Sequence, residues 1–188
     1  MKYERQNLGP LLNEDSKFLQ SIIQMTTPKV VVEFGHLWGD SAKAMLKVME
    51  KDAVLHSYDN TKDAQIPDNR FIFHKQSQEE VNLTDIDFVF LDASHYLDLN
   101  QKTFLKLKDN MTPKGIIAVH DTGTWVGGNV FDAERGHEGK NGEWVHCPEE
   151  LEFMNWIKQE HPEWQQIHFH SSRKVRHGIT LLQKYQSL

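Results

Sequence analysis

The sequence has a single cysteine, Cys147. That excludes an intramolecular disulfide and any multi-cysteine metal site. It also lacks an excess of positive charge: 21 Lys and Arg stand against 27 Asp and Glu, a formal net charge of −6. A nucleic-acid surface needs clustered Lys and Arg to neutralise phosphates, and here the basic residues are dispersed. The densest group, Arg173, Lys174 and Arg176, reads as a solvated turn before the last strand. No apolar run approaches transmembrane length. The start, Met1-Lys2-Tyr3-Glu4-Arg5, is polar, and no apolar signal-peptide core follows it. The expectations are a cytoplasmic location, no membrane and no nucleic acid. The 188 residues carry no internal repeat and suffice for one domain with a sizeable core.

What is present centres on Val30-Val31-Val32-Glu33-Phe34-Gly35-His36-Leu37-Trp38-Gly39-Asp40-Ser41. Three β-branched apolar residues in a row suit a strand covered on both faces. Gly35 and Gly39 bound a loop where the backbone bends sharply or comes close to something. Asp40 or Ser41 can cap a helix over about 41–50. In an α/β sheet such a junction lies at the carboxyl end of a strand, where ligands bind.

Around it the spacing predicts a helix within a leading segment 1–28, closed by Pro28. Strands follow at 53–59, 70–74, 85–92 and 115–121, with a polar connection at 75–85, a helix up to about 111 and a turn at 112–115. Pro148-Glu149-Glu150 opens another helix. Residues 165–169 and 178–182 alternate as a terminal antiparallel pair. The predicted fold is a single α/β domain with a doubly wound, mostly parallel sheet and an antiparallel C-terminal hairpin. Residues 122–147, Gly-rich with Trp125, Trp144, His137 and His146, read either as a substrate or lid loop or as an unstructured insertion. The two tryptophans either wall a substrate or pack. His168 and His170 alternate on a strand and read as its exposed side.

Asp59 ends the second strand about 20 residues past the glycine loop, where a carboxylate can accept hydrogen bonds from ribose hydroxyls; alternatively it caps a turn with Asn60. A dinucleotide loop wants a second glycine where this chain has Leu37, and Asp40 sets a negative charge where a phosphate would sit. A cofactor with ribose and adenine but no phosphate fits better. S-adenosylmethionine is the common one, and its positive sulfonium tolerates Glu33 and Asp40.

Glu33-Phe34-Gly35-His36-Leu37-Trp38-Gly39-Asp40-Ser41-Ala42 resembles the first motif of class I S-adenosylmethionine-dependent methyltransferases, in particular the catechol O-methyltransferase-like group. Phe88 to Asp121 resembles the same group and the cephalosporin-hydroxylase-like methyltransferases. The resemblance covers roughly residues 29–121 and implies a seven-stranded, Rossmann-like sheet. It implies cofactor binding by Glu33, Gly35, Gly39, Ser41, Asp59 and Asp92. It also implies a metal trio at Asp92, His120 and Asp121. His120 departs from the carboxylate or amide frequent there. Imidazole is a poor Mg²⁺ ligand and would favour Mn²⁺, Fe²⁺ or Zn²⁺, unless His120 only orients the substrate. His95 stands where the catechol-type enzymes have a general-base lysine, and Asp92 joins it as a catalytic candidate. A capping or surface role for His95, and a metal-free site, stay open.

The expected activity is methyl transfer from S-adenosylmethionine to a hydroxyl of a diol, catechol or sugar. Mg²⁺ or another divalent ion is expected to assist, with His95 as base. A metal-free methyltransferase, a non-catalytic binding module and an NAD-dependent oxidoreductase are the alternatives. The expected partner is a small-molecule substrate; the oligomeric state, a homodimer included, is open.

Overall fold

The computed structural model describes residues 11, 13–60, 63–122, 137–138, 144–145, 149–170 and 178–185. The chain runs α1 (Asn13–Thr26), β1 (Val30–Phe34), α2 (Asp40–Leu46), β2 (Val54–Tyr58), β3 (Phe71–His74), a 3₁₀ turn (Gln78–Glu80), β4 (Ile86–Leu91), α3 (Leu97–Leu107) and β5 (Met111–His120). After a two-stranded hairpin, β6 (His137–Glu138) and β7 (Trp144–Val145), come α4 (Glu149–Glu160), β8 (Trp164–His170) and β9 (Gly178–Lys184). Trp125, His146, Cys147, His177 and the Arg173–Lys174–Arg176 group lie outside the described residues, as do the side chains of His137, Trp144 and His170. The substrate-loop expectation for 122–147 therefore falls mostly outside them too.

Seven strands form one sheet in the order β3-β2-β1-β4-β5-β9-β8. Neighbours from β3 to β5 are parallel, and β9 runs against both β5 and β8. The order builds outward from β1 to β3, then restarts on the other side with β4. β1 and β4 therefore flank the reversal point, where an open α/β sheet leaves a crevice beyond its strand ends.

The apolar runs follow from burial on both faces. Val31, Phe88 and Phe90 face a cluster with Leu19 and Ile23 of α1 and Met45 of α2. Val32, Val89 and Leu91 face the opposite cluster, with Phe104 of α3 and Phe153 and Ile157 of α4. The expected doubly wound sheet with its antiparallel hairpin is what forms. Among the described residues no helix is long and apolar enough to cross a membrane.

Local boundaries differ from expectation for identifiable reasons. β5 begins at Met111, before the expected turn. Ile86 pairs with Met111 but Phe88 with Ile116, so residues 112–115 bulge out within the strand. Pro113 has no N–H for a ladder, which suits a bulge. α2 stops at Leu46, short of the expected 50. Neither Asp40 nor Ser41 caps it: Gly39 is the N-cap, in the left-handed conformation and without a side-chain cap. Within the polar connection, Ser77 and Glu80 form a reciprocal capping box around the 3₁₀ turn.

Arg70, just before β3, caps α2 from outside. Its guanidinium donates to the Leu46 and Met49 carbonyls, each at 2.7 Å. Asp68 aims it, accepting from Nε at 2.9 Å and Nη2 at 2.6 Å. Those side-chain hydrogen bonds, with the Arg70 backbone N–H, pull the Asp68 carboxyl down to about 2. A depressed carboxylate contributes stability above its unfolded value near 3.8 and loses it as pH falls through about 2. Asp68→Asn should therefore lower the melting temperature modestly at pH 5, with the gap to wild type closing as pH falls toward 2. A gap constant with pH, followed by calorimetry, would sink this account.

Candidate functional site

Glu33, one residue before the end of β1, has no solvent exposure. A buried carboxylate persists only when donors surround it. Here they are the Ser41 and Ser57 hydroxyls and His36 Nδ1, the last at 3.1 Å. They come from α2, from β2 and from the glycine loop. Glu33 and Ser41, both expected at the cofactor, are thus bonded to each other beneath the loop. They shape it rather than line its surface.

The loop's course is fixed by two glycines. Gly35 has φ +90°, and a Cβ there would stand 2.3 Å from the Asp92 carbonyl oxygen. Its N–H donates to Tyr58 O at 2.9 Å. Gly39, at φ +74°, packs against the His36 ring, leaving 2.8 Å between an added Cβ and His36 Nε2. Asp59 Oδ2 accepts from the backbone N–H groups of His36 and Leu37, both at 3.1 Å. The acid at the end of β2 therefore does lie against the loop and holds its backbone. Leu37 and Trp38 stand exposed at the loop's tip.

Next to this loop, at the ends of β4 and β5, lies a cluster of acids and imidazoles. Buried His120 ends β5. Its Nδ1 is 3.1 Å from Asp92 Oδ1 and 3.3 Å from Asp121 Oδ1. Its Nε2 is 3.2 Å from Asp15 Oδ2, on α1. Asp121 turns the chain there with φ +65°. His95, in the connection from β4 to α3, hydrogen-bonds through Nδ1 to Glu150 of α4. Neighbouring bonds brace that connection: Asn100 Nδ2 donates to Ser94 O at 2.9 Å and the Leu97 N–H to Glu149 at 2.5 Å.

Burial works against a charged imidazole at His120, but the Asp92 and Asp121 charges, with Asp15, hold it well above the usual histidine range. Burial also opposes the charge on His95, and the Glu150 carboxylate outweighs it. The geometry thus brings together Asp92, His95, His120 and Asp121, as the sequence led us to expect. Ligand atoms of Asp92, His120 and Asp121 all lie within 4.8 Å of one another, and so do those of His95, Asp121 and Glu150. An imidazole nitrogen and two carboxylates at that separation fit a divalent ion. Asp15 and Glu150 were not singled out from sequence. Each lies at or near the start of a helix, where an acid already has a reason to be.

No protein-family model matches the chain, and no curated protein matches it in sequence. Solved structures do. An O-methyltransferase from Bacillus cereus in complex with S-adenosylhomocysteine aligns over 93% of this chain and 82% of its own, at 14% identity and TM-score 0.64. TomG, an O-methyltransferase from Streptomyces achromogenes in complex with S-adenosylmethionine, aligns over 94% and 82%, at 14% identity and TM-score 0.65. The S-adenosylhomocysteine-bound methyltransferase PaMTH1 from Podospora anserina aligns over 91% and 78%, at 16% identity and TM-score 0.64. At such identities the likeness is one of fold: this is the Rossmann-like methyltransferase fold, as the first-motif resemblance implied.

Gly35→Ala tests the loop. A non-glycine residue at this φ costs on the order of 1–3 kcal/mol before any clash with Asp92 is counted. The variant should unfold at a clearly lower urea concentration. Stability equal to wild type would show that the backbone can take another path.

Proposed function

We propose that the chain is an S-adenosylmethionine-dependent O-methyltransferase acting on a small hydroxylated molecule, a diol, catechol or sugar. The observation that carries this is contiguity: Gly35 of the cofactor loop lies directly against the backbone of Asp92, a member of the acid–imidazole cluster. A donor held at the loop and an acceptor held at the cluster would be neighbours. Holding two reactants in line is worth on the order of 7–11 kcal/mol of a barrier.

When bound, S-adenosylmethionine supplies a methyl group made electrophilic by its sulfonium. The chain's own residues do the rest. Gly35 and Gly39 let the backbone approach the ligand closely. Asp59 is the acceptor for ribose hydroxyls while it holds the loop. Leu37 occupies the place of the glycine that a nicotinamide dinucleotide would need, which counts against the oxidoreductase alternative. His95, with Nδ1 engaged by Glu150, takes the acceptor hydroxyl's proton on Nε2 as the new O–C bond forms and the C–S bond breaks. Such a base contributes roughly 10²–10⁴ in rate. Asp92, His120 and Asp121 would hold a divalent ion, which when bound lowers the pKa of a coordinated hydroxyl.

A metal-free version has one observation in its favour. His120 Nδ1 already sits between Asp92 and Asp121, so the imidazole can itself offset their charge. Activity that survives a chelator would select that version.

Calorimetry with S-adenosylhomocysteine and with NAD tests the donor, and radiolabelled methyl transfer to a panel of diols, catechols and sugars tests the acceptor. We expect S-adenosylhomocysteine to bind and NAD not to. His95→Ala should cut turnover by roughly 10²–10⁴ and leave S-adenosylhomocysteine affinity unchanged. No binding of S-adenosylhomocysteine would end the proposal, and full activity in His95→Ala would remove its base.

A further inference from the structure

We propose that Asp15 is a positioning residue that orients His120 and thereby gives the Asp92–His120–Asp121 site a preference for a first-row transition ion over Mg²⁺. The proposal rests on the reading of those three residues as metal ligands and adds what sets their selectivity.

Asp15 lies in the first turn of α1, where an acid is favoured by the helix dipole and ordinarily faces water. This one does not. It is 8% exposed, and its Oδ2 lies 3.2 Å from Nε2 of an imidazole 105 residues along the chain. Its position is set from below by Leu19, Ile22 and Ile23, which pack α1 onto α2 and the sheet. The acid is therefore held against His120 by a rigid element.

His120 has little freedom of its own. The ring is buried, with the Phe90 ring 5.7 Å away centroid to centroid. With Nε2–H donated to Asp15, the other nitrogen, Nδ1, is the one presented to Asp92 and Asp121, at 3.1 and 3.3 Å. A carboxylate behind a ligating histidine fixes the tautomer and the ring's orientation and raises its basicity. Without Asp15, the Nε2–H loses this acceptor, and the ring is held less firmly with Nδ1 toward Asp92 and Asp121.

The donor set then decides the ion. Mg²⁺ is bound by oxygens and keeps several waters. An imidazole nitrogen with two carboxylates suits Mn²⁺, Fe²⁺, Co²⁺ or Zn²⁺. Nitrogen ligation depends on Asp15, whereas the two carboxylates can still hold Mg²⁺ without it. Loss of Asp15 should therefore weaken the transition ions selectively, rather than all ions alike.

The experiment is calorimetric titration of the full chain with Mn²⁺, Co²⁺, Zn²⁺ and Mg²⁺, alongside the visible absorption of the Co²⁺ form. Wild type should bind Co²⁺ and Mn²⁺ at least tenfold more tightly than Mg²⁺. Asp15→Ala should lose roughly 10–100-fold of that affinity, with the Mg²⁺ affinity nearly unchanged and the Co²⁺ spectrum altered. Asp15→Asn keeps the side chain's volume and one acceptor oxygen. It should fall between the two, and it serves if the alanine variant does not fold. A merely structural role for Asp15 would weaken every ion together and lower the urea midpoint, which overturns the proposal. An unchanged Co²⁺-to-Mg²⁺ ratio and Co²⁺ spectrum in both variants also overturns it, while leaving the ligand assignment standing. Wild type binding none of the four ions overturns the ligand assignment and this proposal together.

Discussion

The buried carboxylate of Glu33 is the constraint on which the glycine-loop end of the molecule depends. A charge removed from water costs several kcal/mol unless it is met by donors in good geometry. The Ser41 hydroxyl, the Ser57 hydroxyl and His36 Nδ1 meet it. Satisfying one side chain therefore ties the first turn of α2, strand β2 and the glycine loop to a single point. Asp59 then holds the same loop from the side through two backbone N–H groups. The loop is thus shaped by the chain's own bonds, and a preorganised loop spends less energy on ordering itself.

The acid–imidazole cluster is built on a different plan. The sheet supplies Asp92, His120 and Asp121 from adjacent strand ends, and His95 from the turn after β4. The helices supply the acids that face the imidazoles: Asp15 from α1 and Glu150 from α4. These two helices pack on opposite faces of the sheet. Each carries its acid in its first turn, where the helix dipole favours negative charge. Each turns that acid onto a histidine, so one carboxylate serves its own helix and the site together.

This division explains what the sequence could disclose. β1 and β4 were legible because apolar residues run without interruption where a strand is covered on both faces. Asp59, Asp92, His120 and Asp121 were legible because they end such strands, and strand ends in a parallel sheet are where chemistry gathers. Asp15 and Glu150 were hidden by a bland and sufficient reason for an acid to be where they are. Glu33 and Ser41 were correctly placed at the loop, but a one-dimensional motif does not tell its surface from its underside. The start of β5 was misplaced because Thr112-Pro113-Lys114-Gly115 has the composition of a turn, and here that turn is a bulge inside the strand.

His120 and Asp15 make sense only together. With a carboxylate at position 120, Asp15 would press a further negative charge against it, beside Asp92 and Asp121, in a water-poor space. Like charges so placed cannot all remain ionised. With an imidazole at 120, the same acid becomes a partner: it accepts one ring proton and leaves the opposite nitrogen facing Asp92 and Asp121. Conversely, His120 without Asp15 would lose the carboxylate that accepts from its Nε2–H and holds the opposite nitrogen toward Asp92 and Asp121. The histidine that makes this cluster unlike an all-oxygen site and the aspartate that reaches it from α1 are therefore one feature, assembled from two ends of the chain.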